Sequence, residues 1–130
     1  MYQQLIFVGN LGSDPEVRTT PDDKKVTNFS VAVNRYWNNA AGERQEEVTW
    51  FRVAAWGKLG EACNQYLSKG RQVLVEGRLV VSKETGGPRL WQNNDGDWRA
   101  SFEVFAAEVK FLGTASSNGG EPPPKDEIPF

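Results

Sequence analysis

The chain reads as all-β with one helix, closed as a five-stranded Greek-key barrel. Three observations predict this. Five short stretches carry strand-like patterning, a single helical stripe falls between the third and fourth of them, and glycine recurs at the joins. At 130 residues the chain has the size of one domain and can bury a core without disulfide staples. After Gly113 the pattern stops. TASSNGGEPPPKDEIPF has no periodicity and is dominated by Ser, Gly and Pro, so residues 1–113 are expected to fold and 114–130 to form a flexible, disordered tail.

The first strand is expected over Tyr2–Asn10, where Leu5, Ile6, Phe7 and Val8 form an apolar run ended by Gly9-Asn10. Leu11–Lys25 is turn-rich, with Asp14-Pro15 and Pro21-Asp22-Asp23 as punctuation and a brief extended piece at Glu16–Thr19. The second strand is Val26–Trp37. Phe29, Val31 and Val33 alternate with Ser30, Ala32 and Asn34, a half-buried pattern. Simple parity would then put Arg35 on the core side, so a bulge or strand exit is expected near Asn34–Tyr36, with Trp37 projecting at the strand end. Asn38–Glu47 is polar and reads as a mobile loop.

The third strand lies in VTWFRVAAWGKL, Val48–Leu59. Alternate side chains face opposite sides of a sheet. Phe51, Val53 and Ala55 make an ordinary core face. Trp50, Arg52, Ala54 and Trp56 make the other, with Lys58 just beyond. Two indoles around a guanidinium, with almost no aliphatic filler, suit unpaired nucleobases and their phosphates: bases stack on rings, and cations follow the backbone. Packing of both indoles in a core or an interface is the competing reading.

Gly57–Lys69 is the helix, with Leu59, Ala62, Cys63, Tyr66 and Leu67 on one apolar stripe and Lys69-Gly70 as its stop. Cys63 on that stripe reads as core. The fourth strand is Gln72–Ser82, apolar on both parities, which suggests burial on both faces, one of them against another subunit. Arg71, Arg78 and Lys83 decorate it. Asn93–Gly96 marks a hairpin tip flanked by Trp91 and Trp98. The two rings either pack across that hairpin or meet a ligand. The fifth strand is Ser101–Leu112, with a parity shift near Ala106-Ala107 that signals a bulge. Three strands, a helix and two strands is the pattern of the OB-fold, whose oligonucleotide surface generally lies on strands two and three and the adjoining loops.

The composition excludes much. Without histidine and with one cysteine, the usual general base, activated nucleophile and zinc ligands are missing. No carboxylate cluster replaces them, so neither an enzyme nor a cofactor or metal is expected. No apolar run is long enough to span a membrane and no targeting leader is visible. The net charge of −2 sits entirely in the tail, since residues 1–113 carry 14 Lys/Arg against 14 Asp/Glu. Affinity for phosphate must therefore come from where the charges are placed.

Several segments resemble the bacterial single-stranded DNA-binding protein family. Leu5–Val17 (LIFVGNLGSDPEV) is similar to its opening strand and turn. Trp50–Leu59 (WFRVAAWGKL), Tyr66–Gly70 (YLSKG) and Val73–Gly77 (VLVEG) are similar to its third strand, helix and fourth strand, and Asp126–Phe130 (DEIPF) to its acidic tip. The order and spacing of these pieces make the match specific.

The resemblance implies a homotetramer of OB-folds that binds single-stranded DNA without sequence preference in replication, recombination and repair. It implies a bacterial, cytoplasmic, nucleoid-associated location. It puts Trp37 and Trp50 at base-stacking positions, with Trp56 where the family commonly has phenylalanine. Trp91 and Trp98 are candidate replacements for a further family tryptophan, where this chain has Glu84. Arg35, Arg52, Lys58, Arg78 and Lys83 are the candidate phosphate contacts. Asp126, Glu127, Ile128, Pro129 and Phe130 form the candidate tip for replication and repair proteins. An OB-fold serving only protein contacts, or an OB-fold nuclease, are the alternatives.

Overall fold

A computed structural model describes residues 2–113; the expected tail and its tip, Asp126–Phe130, lie outside the described residues. The elements are β1 (Leu5–Leu11), β2 (Glu16–Thr19), β3 (Lys25–Asn38), β4 (Arg44–Trp56), α1 (Gly57–Tyr66), β5 (Gln72–Val80), β6 (Leu90–Gln92), β7 (Trp98–Ala100) and β8 (Phe102–Phe111). The main sheet runs β1-β5-β8-β4-β3-β2, and β1 also pairs with β3. That extra pairing closes β1, β5, β8, β4 and β3 into the expected five-stranded barrel, with β2 added along the outer part of β3. Among the described residues only β4 and β8 pair in parallel. The helix stands between the third and fourth barrel strands, as the sequence pattern predicts.

The core is built from one parity of each strand. Val31, Val53, Val73, Val75 and Val104 are fully enclosed, each supplied by a strand whose other parity faces outward. Full burial of such a side chain contributes about 1.5–3 kcal/mol. Phe7 and Phe51 stack at 4.2 Å to extend this core towards one end of the barrel. α1 closes the other side through Cys63 and the following Leu67, both buried. It comes down close because Gly60 has no side chain: a Cβ there would lie 2.9 Å from Thr27 Oγ1. The buried Thr27 hydroxyl instead donates to the Gly60 carbonyl at 2.8 Å, tying helix to strand. Among the described residues no helix is long and apolar enough to cross a membrane.

Several expectations are corrected. The register of β3 and β4 is continuous from Val26↔Trp56 to Asn38↔Arg44, so no bulge occurs near Asn34–Tyr36. Beyond Val33 the two strands leave the barrel as a projecting ribbon with both faces in solvent. Arg35 therefore has no core side to avoid. The polar segment Asn38–Glu47 is mostly strand rather than loop. The turn is Asn39–Glu43, and the Asn39 side-chain carbonyl accepts from the Ala41 and Glu43 amides. The helix ends at Tyr66 rather than Lys69, because Leu67 turns to extended geometry and still donates its amide to the Cys63 carbonyl. Tyr66 is exposed rather than part of the buried stripe, and it packs at 6.0 Å against Phe111. Within the single chain β5 buries Val73, Val75 and Gly77 and leaves Leu74 and Val80 half-buried on the other parity, the face expected to meet another subunit.

The bulge expected at Ala106-Ala107 is present. Glu76 pairs with Glu108 and Gly77 with Ala106, leaving Ala107 without an opposite residue. The brief strand at Glu16–Thr19 also forms as expected.

Candidate nucleic-acid interface

The outer face of β4 carries Trp50, Arg52, Ala54 and Trp56 along a single strand. Their partners on β3 are Ala32, Ser30, Asn28 and Val26. These neighbours are small or polar, apart from Val26, so the indoles stand clear of tall side chains. Trp50 is 53% exposed and Trp56 37%, while the alternate residues Val53 and Ala55 are sealed in the core. Packing of the two indoles inside the barrel is thereby excluded.

Trp50 has a seat that the sequence reading did not identify. The edge of its six-membered ring comes against Gly12, where a Cβ would fall 2.8 Å from Cη2 and also crowd the Ser30 hydroxyl. The Gly12 amide donates to the Ser30 carbonyl at 3.0 Å, fixing the backbone beneath the ring. Only glycine leaves room for the edge of the indole at that point. A glycine two residues before Asp14-Pro15 reads as turn chemistry in sequence, and nothing there points across the sheet to Trp50.

Arg52 is the meeting point of three shallow grooves. One, of about 320 Å³, runs along Ser13, Asp14, Glu16, Asn28 and Ser30. A second, of about 420 Å³, passes Trp50, Thr49, Ser101 and Phe102. The third, of about 310 Å³, is shared with Arg89, Leu90, Trp91, Ser101 and Glu103. The barrel register continues this face across two more strands. Arg52 stands beside Glu103 of β8, and Ala54 beside Phe105, which in turn pairs with Arg78 of β5. The Arg78 guanidinium lies 4.7 Å over the Phe105 ring. Arg78 thus belongs to the same outer face, about two strand spacings, or ~10 Å, from β4.

The other predicted residues lie elsewhere. By alternation Arg35 and Trp37 project from the opposite face of the ribbon to Trp50. The Arg35 guanidinium lies 4.6 Å over the Trp37 ring and pairs with Glu47 at 3.3 Å. On the Trp50 face, Arg44 lies 4.6 Å over Tyr36. There Glu46 raises the Tyr36 pKa, first by hydrogen bonding and then by its charge. Lys58 is exposed in the first turn of α1, and Lys83 is exposed in the turn after β5.

Trp91 and Trp98 do not face each other. In the β6–β7 hairpin Trp91 pairs with Arg99 and Trp98 with Gln92, so the two rings occupy opposite faces. Trp91 points towards the Arg52 groove and Trp98 away from it. Arg89, Ser101, Phe102, Glu103 and Phe105 border the same surface. The sequence reading missed them because only the pairing of β8 beside β4 brings them there.

The model of the single-strand binding protein family matches residues 2–112. The chain belongs to that family. It is a family of non-enzymatic DNA-binding proteins. The chain is similar to single-stranded DNA-binding protein 1 of Chlorobaculum tepidum, with 39% identity over 118 residues, which is 90% of this chain and 68% of that protein. It is also 39% identical over 120 residues to the single-stranded DNA-binding protein of Neisseria meningitidis serogroup A, covering 92% of this chain and 65% of that one.

Among solved structures, the fold matches Plasmodium falciparum SSB in complex with ssDNA at a TM-score of 0.70 and 24% identity, over 87% of this chain and 97% of that one. The small single-stranded DNA-binding protein of Streptomyces coelicolor gives 0.68 at 22% identity, over 84% and 93%. The family members share the barrel, and the residues that line its outer face here are this chain's own.

Proposed function

We propose that the protein covers single-stranded DNA without sequence preference, laying the strand across the outer face of β4. The observation that carries this reading is the alternation Trp50–Arg52–Trp56 on one exposed face, with the indoles open to solvent and the guanidinium between them. Bases stack on Trp50 and Trp56, Arg52 meets the phosphates between them, and Lys58 and Arg78 extend the cationic path. Trp37, with Arg35, takes up the strand where it rounds the projecting ribbon, and Lys83 borders the path beyond β5. Base–aromatic stacking in single-strand binding proteins generally contributes ~1–3 kcal/mol per base, and it is blind to sequence because every base has a π-face.

Duplex DNA presents no free base faces, so it binds poorly. The reading is tested by titrating intrinsic tryptophan fluorescence with oligo-dT and with duplex of equal length at two salt concentrations. Strong quenching by the single strand alone, partly retained at high salt, is the expected result. No quenching by either would remove the stacking role and leave a protein-contact module.

We further propose that the protein acts as a homotetramer in replication, recombination and repair, in a bacterial cytoplasm at the nucleoid. The exposed Ile6 and Val8 of β1 and the half-buried Leu74 beside Val8 on β5 support a partner copy on that side of the barrel. The tip Asp126, Glu127, Ile128, Pro129 and Phe130 is proposed to dock into basic pockets of replication and repair enzymes, offering charge and an aromatic ring. Deleting Asp126–Phe130 should spare DNA binding and abolish capture of those enzymes.

A further inference from the structure

We infer that Tyr36 forms an additional stacking position for the bound strand, on the part of the β3–β4 ribbon that projects beyond the barrel. The inference rests on the proposed binding of single-stranded DNA and extends the Trp50 face outward, to a ring met before Trp37 on the reverse face.

The register builds the position. Ala32 pairs with Trp50, Asn34 with Val48, Tyr36 with Glu46 and Asn38 with Arg44. Alternation puts all eight side chains on one face. Outward from Trp50 that face holds first Asn34 and Val48, then the phenol, four residues or roughly 13 Å along the ribbon at ~3.3 Å per residue. The core ends behind it, since Val33 is the last β3 residue packed against the buried cluster. Tyr36 is 51% exposed and contributes nothing to that core.

The ring is backed and its polar end is occupied. The Arg44 guanidinium lies 4.6 Å over it, a cation–π contact that covers one side of the ring. Arg44 forms no ion pair among the described residues. The Tyr36 hydroxyl donates to Glu46, which raises its pKa by that hydrogen bond first and by its charge second. The same carboxylate accepts from Asn34 Nδ2 at 3.2 Å. With its hydroxyl engaged inside the ribbon, Tyr36 offers a base its π-surface alone, which suits stacking without sequence preference.

Tyr36 and Trp37 are consecutive, so they face opposite ways. Each carries an arginine at 4.6 Å, Arg44 over Tyr36 and Arg35 over Trp37. The ribbon thus presents a guanidinium-backed ring on each of its two faces, one residue apart. A strand leaving Trp50 meets Tyr36 on the same face and reaches Trp37 only by rounding the ribbon.

The test uses the full chain and a labelled oligo-dT of about ten nucleotides, within the ~4–16 of one OB-fold, followed by fluorescence anisotropy at two salt concentrations. The variants are Tyr36→Ala, Tyr36→Thr, Tyr36→Phe and Trp50→Ala. Tyr36→Ala should weaken binding by about 5-fold or more, the loss of one stacked base. Tyr36→Thr, which keeps a strand-favouring side chain, should weaken it to the same extent. Tyr36→Phe keeps the ring and should stay within about twofold of the parent. The loss in Tyr36→Ala should be equal at both salt concentrations, because salt acts on phosphate contacts and not on stacking.

Parent-like binding by Tyr36→Ala or Tyr36→Thr would overturn the position. So would a Tyr36→Phe loss as large as that of Tyr36→Ala, which would assign the effect to the hydroxyl, or a loss that vanishes at high salt, which would assign it to the charges of Arg44 and Glu46. If the Tyr36 variants are silent while Trp50→Ala is weakened, only this position falls. If Trp50→Ala is silent too, the stacking reading of the whole face falls with it. Unchanged thermal unfolding of the Tyr36 variants, whose side chains lie outside the core, separates a lost contact from a lost fold.

Discussion

Trp50 shows how a single glycine can set the usefulness of an aromatic ring. The indole edge reaches Gly12 because no Cβ is there to push it away. Gly12→Ala is expected to tilt or expel the ring while leaving the barrel core untouched. Its effect should be lower affinity for oligo-dT by about 5-fold or more, within the ~1–3 kcal/mol of one stacked base, together with a changed fluorescence maximum in the free protein. A Gly12→Ala variant with the parent's affinity and spectrum would mean that the ring has another seat.

Cys63 behaves oppositely, as a group withdrawn from chemistry. Burial pushes its thiol up to about 12 from an ordinary value of 9.0. The thiolate is the reactive form, so native protein at pH 8 should resist a thiol reagent and react fully only on unfolding. The sign of the pH effect follows. The unfolded chain loses this proton near pH 9 and the folded chain only near 12, so the contribution to stability is complete below the first value and is lost between the two. Cys63→Val should flatten that part of the stability curve relative to the parent.

At the scale of elements, the ribbon of β3 and β4 is where sequence and structure part. Alternation placed the core and outer faces of β4 correctly over Trp50–Trp56, because Val53 and Ala55 are buried there and a slip by one residue would expose them. Past Val33 this constraint disappears. With solvent on both faces, composition no longer reports direction, so polar residues at Asn38–Glu47 read as loop although most of them pair as strand. The same logic explains the β6–β7 hairpin. Its turn residues were legible, but which way each indole faces depends on a three-residue register. Arg89, Ser101 and Glu103 were invisible as site residues because β8 reaches β4 only through the closing of the barrel.

The ribbon's two faces also predict a difference between its tryptophans. On the proposed path Trp50 meets the strand first, whereas Trp37 is on the other face beneath Arg35. For an oligo-dT of about ten nucleotides, within the ~4–16 typical of one OB-fold, Trp50→Ala should weaken binding about 5-fold or more and Trp37→Ala by less. With an oligomer several times longer, able to round the ribbon, the Trp37→Ala loss should grow. Equal losses at both lengths would put the two rings on one path.

At the scale of the whole molecule, a body with balanced charge binding a polyanion demands local separation of sign. The body pairs some cations and leaves others free. Arg35 and Arg89 are each tied to a glutamate, whereas Arg52, Lys58, Arg78 and Lys83 form no ion pair among the described residues. Each phosphate met by a cation releases a condensed counterion, which gives a slope of log affinity against log salt near −0.7 per contact for single strands. Four free cations therefore predict a slope of about −3 per subunit. Stacking adds affinity that salt does not remove.

Arg52→Gln should reduce that slope by ~0.7 and leave the quenching of Trp50 and Trp56 at saturation unchanged, since the rings keep their places. Affinities measured between about 0.05 and 0.5 M salt would give both numbers from one set of titrations. A slope unchanged by Arg52→Gln would mean that the arginine between the two indoles meets no phosphate. It would then act as a flat surface beside the bases, and the salt dependence would have to arise from Lys58, Arg78 and Lys83 at the margins of the face.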